Sequence, residues 1–347
     1  MTGKMRALVK TRSGRGAELI KVDVPSPGPK DVVVKVESAG ICGSDLLFYE
    51  WVPGAEQRLR FPRLLGHEFA GHVIEVGPAV TRFKPGDYVS ADSHIVCGSC
   101  RQCLTGWQHL CNNLRILGID VDGCFAEYAL VPESSLWKTP VSISLDVATV
   151  QEPLGGAVYA TLVEDVVGKS VAVIGVGPLG LFAVNVAHSC GADPVIAVDL
   201  NEHRLELARK MGATKAVMAG DDVVAEVVKA NNGLGVDVVL EMTGRPQAIR
   251  AAFNVLARGG RMSAVGIPER PVELDMMSAI VLRGTRVYGI HGREMFRTWA
   301  QMTGLLLSHS IDPTPAITHK FKLEEFEMAF DVVREPTAKA AKVLLVP

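Results

Sequence analysis

Residues 170–180 read Ser170-Val171-Ala172-Val173-Ile174-Gly175-Val176-Gly177-Pro178-Leu179-Gly180. The stretch begins as a short apolar run suited to a strand buried on both faces. It ends as G-x-G-x-x-G and leads into a helical pattern over residues 179–190. Glycines in this spacing also occur in turns of other α/β proteins. Strand, glycine turn and helix in succession are the context that a dinucleotide fingerprint requires. Gly175 permits the tight turn, Gly177 lets the backbone approach a pyrophosphate, and Gly180 lets the helix pack closely on the strand. The helix N-terminus then presents its positive dipole end to the phosphates. Asp199 ends the next strand, residues 194–199, where a carboxylate accepts hydrogen bonds from the adenosine ribose. A carboxylate there repels a 2′-phosphate and favours NAD over NADP. Arg204 points the other way, since a nearby arginine can bind that phosphate. Asp199 carries more weight because it stands at the strand end.

The alternation continues outward from this unit. Residues 202–211 fit a helix, and residues 236–240, 261–265 and 286–288 fit strands. Strand and helix in turn predict an α/β domain, a doubly wound parallel sheet with crossover helices. Near residue 155 the texture changes. The first 150 residues carry short alternations, such as 31–36 and 71–76, bounded by Gly and Pro, and predict a β-rich region. After Gly292 a helix over 297–307 and a last strand over 342–345 are expected. No fixed-period repeat or low-complexity segment interrupts the chain.

The length, 347 residues, suggests about two domains. Apolar residues make up 48% and charged residues 21%, ordinary for a globular enzyme. The net charge of -2, with no long basic or acidic run, argues against nucleic-acid or membrane-surface partners. No apolar stretch reaches the length of a membrane span. The start, Met1-Thr2-Gly3-Lys4-Met5-Arg6, has no apolar region behind its charges and does not resemble a signal peptide. Together with cysteines suited to a reducing compartment, this predicts a cytoplasmic protein.

Cys97, Cys100, Cys103 and Cys111 are spaced C-x₂-C-x₂-C-x₇-C. Thiolates so spaced on a tight loop can close a tetrahedron around one zinc ion, and four ligands leave no open position, so this zinc is expected to be structural. Free or disulfide-bonded cysteines are the alternative; the spacing favours metal. Three further segments carry ligand types: Cys42 in Gly40-Ile41-Cys42-Gly43-Ser44-Asp45, His67 and Glu68 in Gly66-His67-Glu68, and Glu152 in Gln151-Glu152-Pro153. Each is weak alone, since a lone His-Glu pair or buried Cys is more often structural. A catalytic zinc needs three protein ligands and an open position, which Cys42, His67 and Glu152 can supply if the fold gathers them.

With Gly66-His67-Glu68, the four-cysteine segment, Gly86-Asp87-Tyr88-Val89 and the fingerprint in this order, the whole chain resembles the zinc-dependent medium-chain alcohol dehydrogenases. Tyr49-Glu50-Trp51, Ser93-His94-Ile95-Val96-Cys97-Gly98, residues 118–123, Tyr288-Gly289-Ile290-His291-Gly292-Arg293 and residues 317–320 are most similar to the L-threonine 3-dehydrogenase branch. The resemblance implies a GroES-like catalytic domain, residues 1–154 and 293–347, with a zinc lobe at about 94–115, and a Rossmann domain, residues 155–292. It implies catalytic zinc at Cys42 and His67, with Glu68 and Glu152 as direct or exchanging carboxylates. It places NAD near Leu179, Asp199, Arg204, Val265-Gly266-Ile267 and Ile290-His291, and a homotetramer is common in such enzymes.

Three positions depart from the branch. Leu47 stands where it has a relay histidine, Gly156 where it has asparagine, and His291 where threonine is usual. The implied reaction is oxidation of a secondary alcohol, with Ser44 taking the hydroxyl proton; in place of the relay histidine either His94 passes the proton on, or bulk water reaches the cofactor ribose directly and His94 only orients substrate or fills structure. L-threonine leads as substrate, and a polyol of the sorbitol or butanediol type is the runner-up. A zinc-lobed binding protein that lost the chemistry, or a zinc-ribbon nucleic-acid binder, are the readings from other classes. The intact ligand set weighs against the first, and the slightly acidic chain against the second.

Overall fold

Val171–Ile174 is fully buried and pairs in parallel with Val195–Asp199 on one side and Val236–Glu241 on the other. The whole sheet, in the computed structural model, runs Lys215–Met218, Val195–Asp199, Val171–Ile174, Val236–Glu241, Leu256–Ala264, Arg286–Gly289, all parallel. Counted along the chain this is the order 3-2-1-4-5-6. The order reverses at the strand that carries the glycine turn, and ligands of such sheets bind beyond the strand ends at that point. Lys215–Met218 escaped the sequence pattern for a physical reason. It is an edge strand with Val217 as its one fully buried residue, so no apolar run marks it. The helices Val223–Ala230 and Pro246–Val255 fill crossovers that the pattern left unassigned.

The structure describes residues 3–335 and 338–347, in two compact units: Met1–Pro153 with Ile317–Pro347, and Leu154–Ala316. In the first, a sheet runs Leu136–Lys138, Tyr88–Ala91, Glu68–Val76, Asp31–Gly40, Lys342–Val346, Ile317–Lys322, with Tyr128–Pro132 also pairing onto Asp31–Gly40. Leu344 lies opposite Gly40, so the last strand of the chain is seated beside one of the first. Val34, Phe69, Phe125, Phe330 and Leu345 are among the buried side chains of this core.

The second boundary differs from the sequence expectation, which gave residues 293–316 to the first unit. They belong with the parallel sheet. Two hydrogen bonds tie them to the helix Pro178–Ser189: Ser189 Oγ donates to the Ser310 carbonyl, and the Asp312 amide donates to Asn185 Oδ1 at 2.9 Å. The helix Arg297–Leu307 sits where the pattern predicted it. Periodicity locates a helix but does not say which core it covers. Among the described residues no helix is long and apolar enough to cross a membrane.

Candidate active site and metal ligands

Cys42, His67 and Glu68 each offer a ligand atom, and these atoms all lie within 4.8 Å of one another. Backbone geometry makes the cluster. Cys42 precedes the short helix Gly43–Tyr49, which also carries half-buried Ser44. Glu68 lies across from Gly40 in the sheet. A Cβ on Gly40 would stand 2.3 Å from Glu68 Oε2, so only glycine leaves room for that carboxylate. Gly66, at φ +91°, sets the turn that delivers His67.

Asp45 orders this cluster from behind. Its Oδ2 accepts from the Cys42 amide at 2.9 Å, and its Oδ1 lies 3.5 Å from His67 Nδ1. That nitrogen is buried and has no hydrogen bond of good geometry. A carboxylate on the far nitrogen of an imidazole is the usual outer support of a metal-ligating histidine. Burial opposes a positive charge on His67, but Asp45 and Cys42 outweigh it and hold its pKa well above the usual imidazole range. The site therefore favours a cation among its anionic groups, and the donor set of thiolate, imidazole and carboxylate suits zinc.

Glu68 is fully buried and faces Lys342, whose Nζ lies 2.8 and 2.6 Å from its two oxygens and 3.0 Å from the Ile41 carbonyl. Burial raises the Glu68 carboxyl, and Lys342 partly offsets this. Glu152 is buried and acts electrostatically on both members of the pair, but stands outside the 4.8 Å trio. His94 is buried, with its amide 2.9 Å and its Nδ1 3.3 Å from Asp92 Oδ1. Leu47 is 48% exposed.

The sulfurs of Cys97, Cys100, Cys103 and Cys111 form the second cluster. Cys100–Cys103 and Cys97–Cys111 are 3.5 Å apart, and Cys100–Cys111 3.8 Å. Zinc–sulfur bonds of ~2.3 Å give a tetrahedron edge of ~3.8 Å, whereas a disulfide needs ~2.05 Å. All four are free. Backbone N–H groups of Ser99 and Cys100 lower the Cys97 thiol pKa, as a thiolate ligand requires.

The residues of the second unit expected to meet the nucleotide lie at the C-terminal edge of its sheet. Gly177 precedes the helix Pro178–Ser189, and a Cβ on it would meet nothing within 4 Å, which leaves the backbone open to a ligand. A Cβ on Gly180 would stand 2.0 Å from the Gly175 carbonyl, so glycine sets the close helix–strand packing. Leu179 is half-buried on the helix. Asp199 Oδ2 accepts from the Val176 amide at 2.8 Å and Oδ1 from the Asn201 amide at 2.9 Å, which bolts the acidic residue to the glycine turn. Arg204 Nε is buried without a hydrogen-bond partner. Val265, Gly266 and Ile267 follow the strand Leu256–Ala264, with Ile267 87% exposed. The buried Ile290 donates its amide to the Ala264 carbonyl at 2.9 Å, and exposed His291 follows. Asp45 as outer support, Lys342 and Glu241 were not singled out from sequence. Asp45 alone had a local signal, three residues after Cys42 at a helix start.

Breaking a buried ion pair by removing one partner costs about 3–5 kcal/mol. Lys342→Met should therefore lower unfolding free energy by about that amount in urea titrations. Glu68→Gln/Lys342→Met should recover most of the loss, because no buried charge is then left alone.

Residues 28–141 match the alcohol dehydrogenase GroES-like domain, and residues 178–308 match the zinc-binding dehydrogenase family. The L-threonine 3-dehydrogenase of Bacillus licheniformis is 47% identical over 348 residues, covering 100% of both chains. Among solved structures, a short chain alcohol dehydrogenase from E. coli CFT073 complexed with NADH superposes with a TM-score of 0.91 at 27% identity, over 99% of each chain. A putative zinc-binding dehydrogenase from Sinorhizobium meliloti 1021 bound to NADP gives 0.89 at 33% identity, over 99% of this chain and 100% of that one. The chain belongs to the zinc-binding medium-chain alcohol dehydrogenase family, and it is a zinc-dependent dehydrogenase.

Proposed function

We propose that this enzyme oxidises the 3-hydroxyl of L-threonine, or of a related 3-hydroxy amino acid, with NAD as hydride acceptor. The observation that carries the substrate is the full-length 47% identity to an L-threonine 3-dehydrogenase. The trio Cys42, His67 and Glu68 carries the chemistry. Zinc at these residues supplies Lewis acidity toward the substrate hydroxyl, and NAD supplies the hydride acceptor.

The chain's own residues do the rest. Asp45 fixes the orientation of His67. Lys342 neutralises Glu68, and Glu152 is the second carboxylate available beside the trio. Ser44, on the helix that follows Cys42, accepts the hydrogen bond and then the proton of the substrate hydroxyl. Leu47 has no proton to pass, so the proton leaves through His94, whose imidazole Asp92 orients. Gly175, Gly177 and Gly180 shape the pyrophosphate turn. Leu179, Arg204, Val265, Gly266, Ile267, Ile290 and His291 line the remaining cofactor path, and Asp199 binds the adenosine ribose. We further assign a structural zinc to the four-cysteine lobe and a homotetramer to the working enzyme.

A dehydrogenase assay across L-threonine, L-serine, sorbitol and 2,3-butanediol tests the substrate directly. L-threonine should give the highest kcat/KM, and a preference for either polyol would overturn the assignment. Metal analysis of folded protein should find two zinc ions per chain. Cys42→Ser should retain the fold, lose one and abolish turnover. Cys100→Ser should lower stability, because structural zinc binding is folding free energy.

Asp199 should impose a preference for NAD of on the order of tenfold or more, from charge-assisted hydrogen bonds worth about 1.5–3 kcal/mol. Asp199→Ala should narrow it, and equal kcat/KM with NADP in the parent would refute the assignment.

A positioned proton acceptor contributes about 10²–10⁴-fold. His94→Asn should lower kcat by that range and leave KM within about twofold. A change in KM alone, with kcat unaltered, would make His94 a substrate-orienting residue.

A further inference from the structure

Glu241 ends the strand Val236–Glu241 and is fully buried. Among the described residues no cationic side chain pairs with it. Burying a carboxylate without a counter-charge is costly, so its hydrogen bonds must carry the compensation. They all come from the turn that follows. Glu241 Oε1 accepts from the Thr243 amide at 2.9 Å and from the Thr243 hydroxyl, and both oxygens accept from the Gly244 amide at 3.2 Å. The carbonyl of the same residue accepts from the Val265 amide at 3.0 Å and the Gly266 amide at 3.1 Å. One residue thus holds two of the turns that leave the C-terminal edge of the sheet.

The turn it holds is wedged. A Cβ on Gly175 would stand 2.4 Å from Thr243 Cγ2. A Cβ on Gly266 would stand 1.9 Å from the Gly244 amide nitrogen. Gly244 itself is at φ +68°, with its Cβ position 2.4 Å from the Ile267 carbonyl. The phosphate-facing turn, Thr243-Gly244 and Val265-Gly266-Ile267 therefore interlock at separations that only glycine permits, and displacement of the middle one must displace its neighbours. The Thr243 hydroxyl points its proton at Glu241 and accepts from the Arg245 amide at 2.9 Å, just before the helix Pro246–Val255. The carboxylate dictates that orientation.

We propose that Glu241 is a positioning residue for the cofactor: through Thr243 it sets the spacing between the glycine turn and the Val265-Gly266-Ile267 turn. The inference rests on the reading that NAD binds at this edge. Glutamine at 241 would set an N–H₂ donor against the Gly244 amide. Valine at 243 keeps the shape of threonine and loses the hydroxyl, whereas serine keeps the hydroxyl.

The test is the dissociation constant of NADH, by fluorescence titration of the full-length protein without substrate, together with its melting temperature. Glu241→Gln and Thr243→Val should each weaken NADH by about tenfold, in line with loss of a hydrogen bond to a charged group. Thr243→Ser should stay within about threefold of the parent. The inference is overturned if Glu241→Gln and Thr243→Val lower only the melting temperature and leave NADH affinity within twofold. It is equally overturned if Thr243→Ser is as weak as Thr243→Val, since keeping the hydroxyl that the carboxylate holds would then not preserve NADH affinity. A parent protein that binds no NADH overturns the cofactor reading itself, and this inference with it.

Discussion

Burying Asp45 and Glu68 around one imidazole, beside the half-buried Cys42, is the constraint on which the first unit is built. Asp45 and Glu68 are shut off from water, so each carboxylate needs a partner close by. Glu68 has Lys342. Asp45 and Cys42 have His67, whose pKa they raise against the cost of burial. The cluster is therefore short of positive charge, and a divalent cation among thiolate, imidazole and carboxylate supplies it without a proton. The sheet register serves the same end. Gly40 opposite Glu68 admits the carboxylate, and Leu344 opposite Gly40 brings the last strand close enough for Lys342 to reach it.

The second unit solves a different problem, which is how to bring backbone amides close to an anionic ligand. Side chains would block that approach, so the turns at the sheet edge are held by contacts that need no Cβ. Gly180 lets the helix meet the Gly175 carbonyl, and Gly266 lets its turn meet the Gly244 amide. Carboxylates then pin the turns in place. Asp199 accepts from the Val176 amide inside the glycine turn, and Glu241 accepts from the next one. Asp199 thus has a structural task besides any toward ribose. Its replacement is expected to loosen the phosphate turn as well as the choice between NAD and NADP.

Much of this was legible in the sequence, because it is written locally. The strand, glycine turn and helix at 170–190 lie in one continuous segment, and the four-cysteine spacing spans a single loop. The helix expected at 297–307 is there. What sequence could not give depends on pairing across the fold. Lys342 meets Glu68 only because the two ends of the chain share a sheet, and no spacing rule links positions so far apart. Glu241 reads as the end of an apolar strand, and its importance lies in the two turns that converge on it.

The same distinction explains the late boundary. The amphipathic helix at Arg297–Leu307 announces a buried face but not the core it faces, and the hydrogen bonds that Ser189 donates to the Ser310 carbonyl and Asn185 accepts from the Asp312 amide assign the segment after it to the parallel-sheet unit. It also bears on Glu152, named from its place in Gln151-Glu152-Pro153. Glu152 is buried and close enough for its charge to act on Glu68 and Lys342, yet it lies outside the trio of ligand atoms. Two carboxylates near one metal position repel each other, so the cation of Lys342 decides how much negative charge the site keeps. The cation that offsets the Glu68 carboxylate thus stands on the last strand of the chain, Lys342–Val346, although Glu68 itself belongs to an early one.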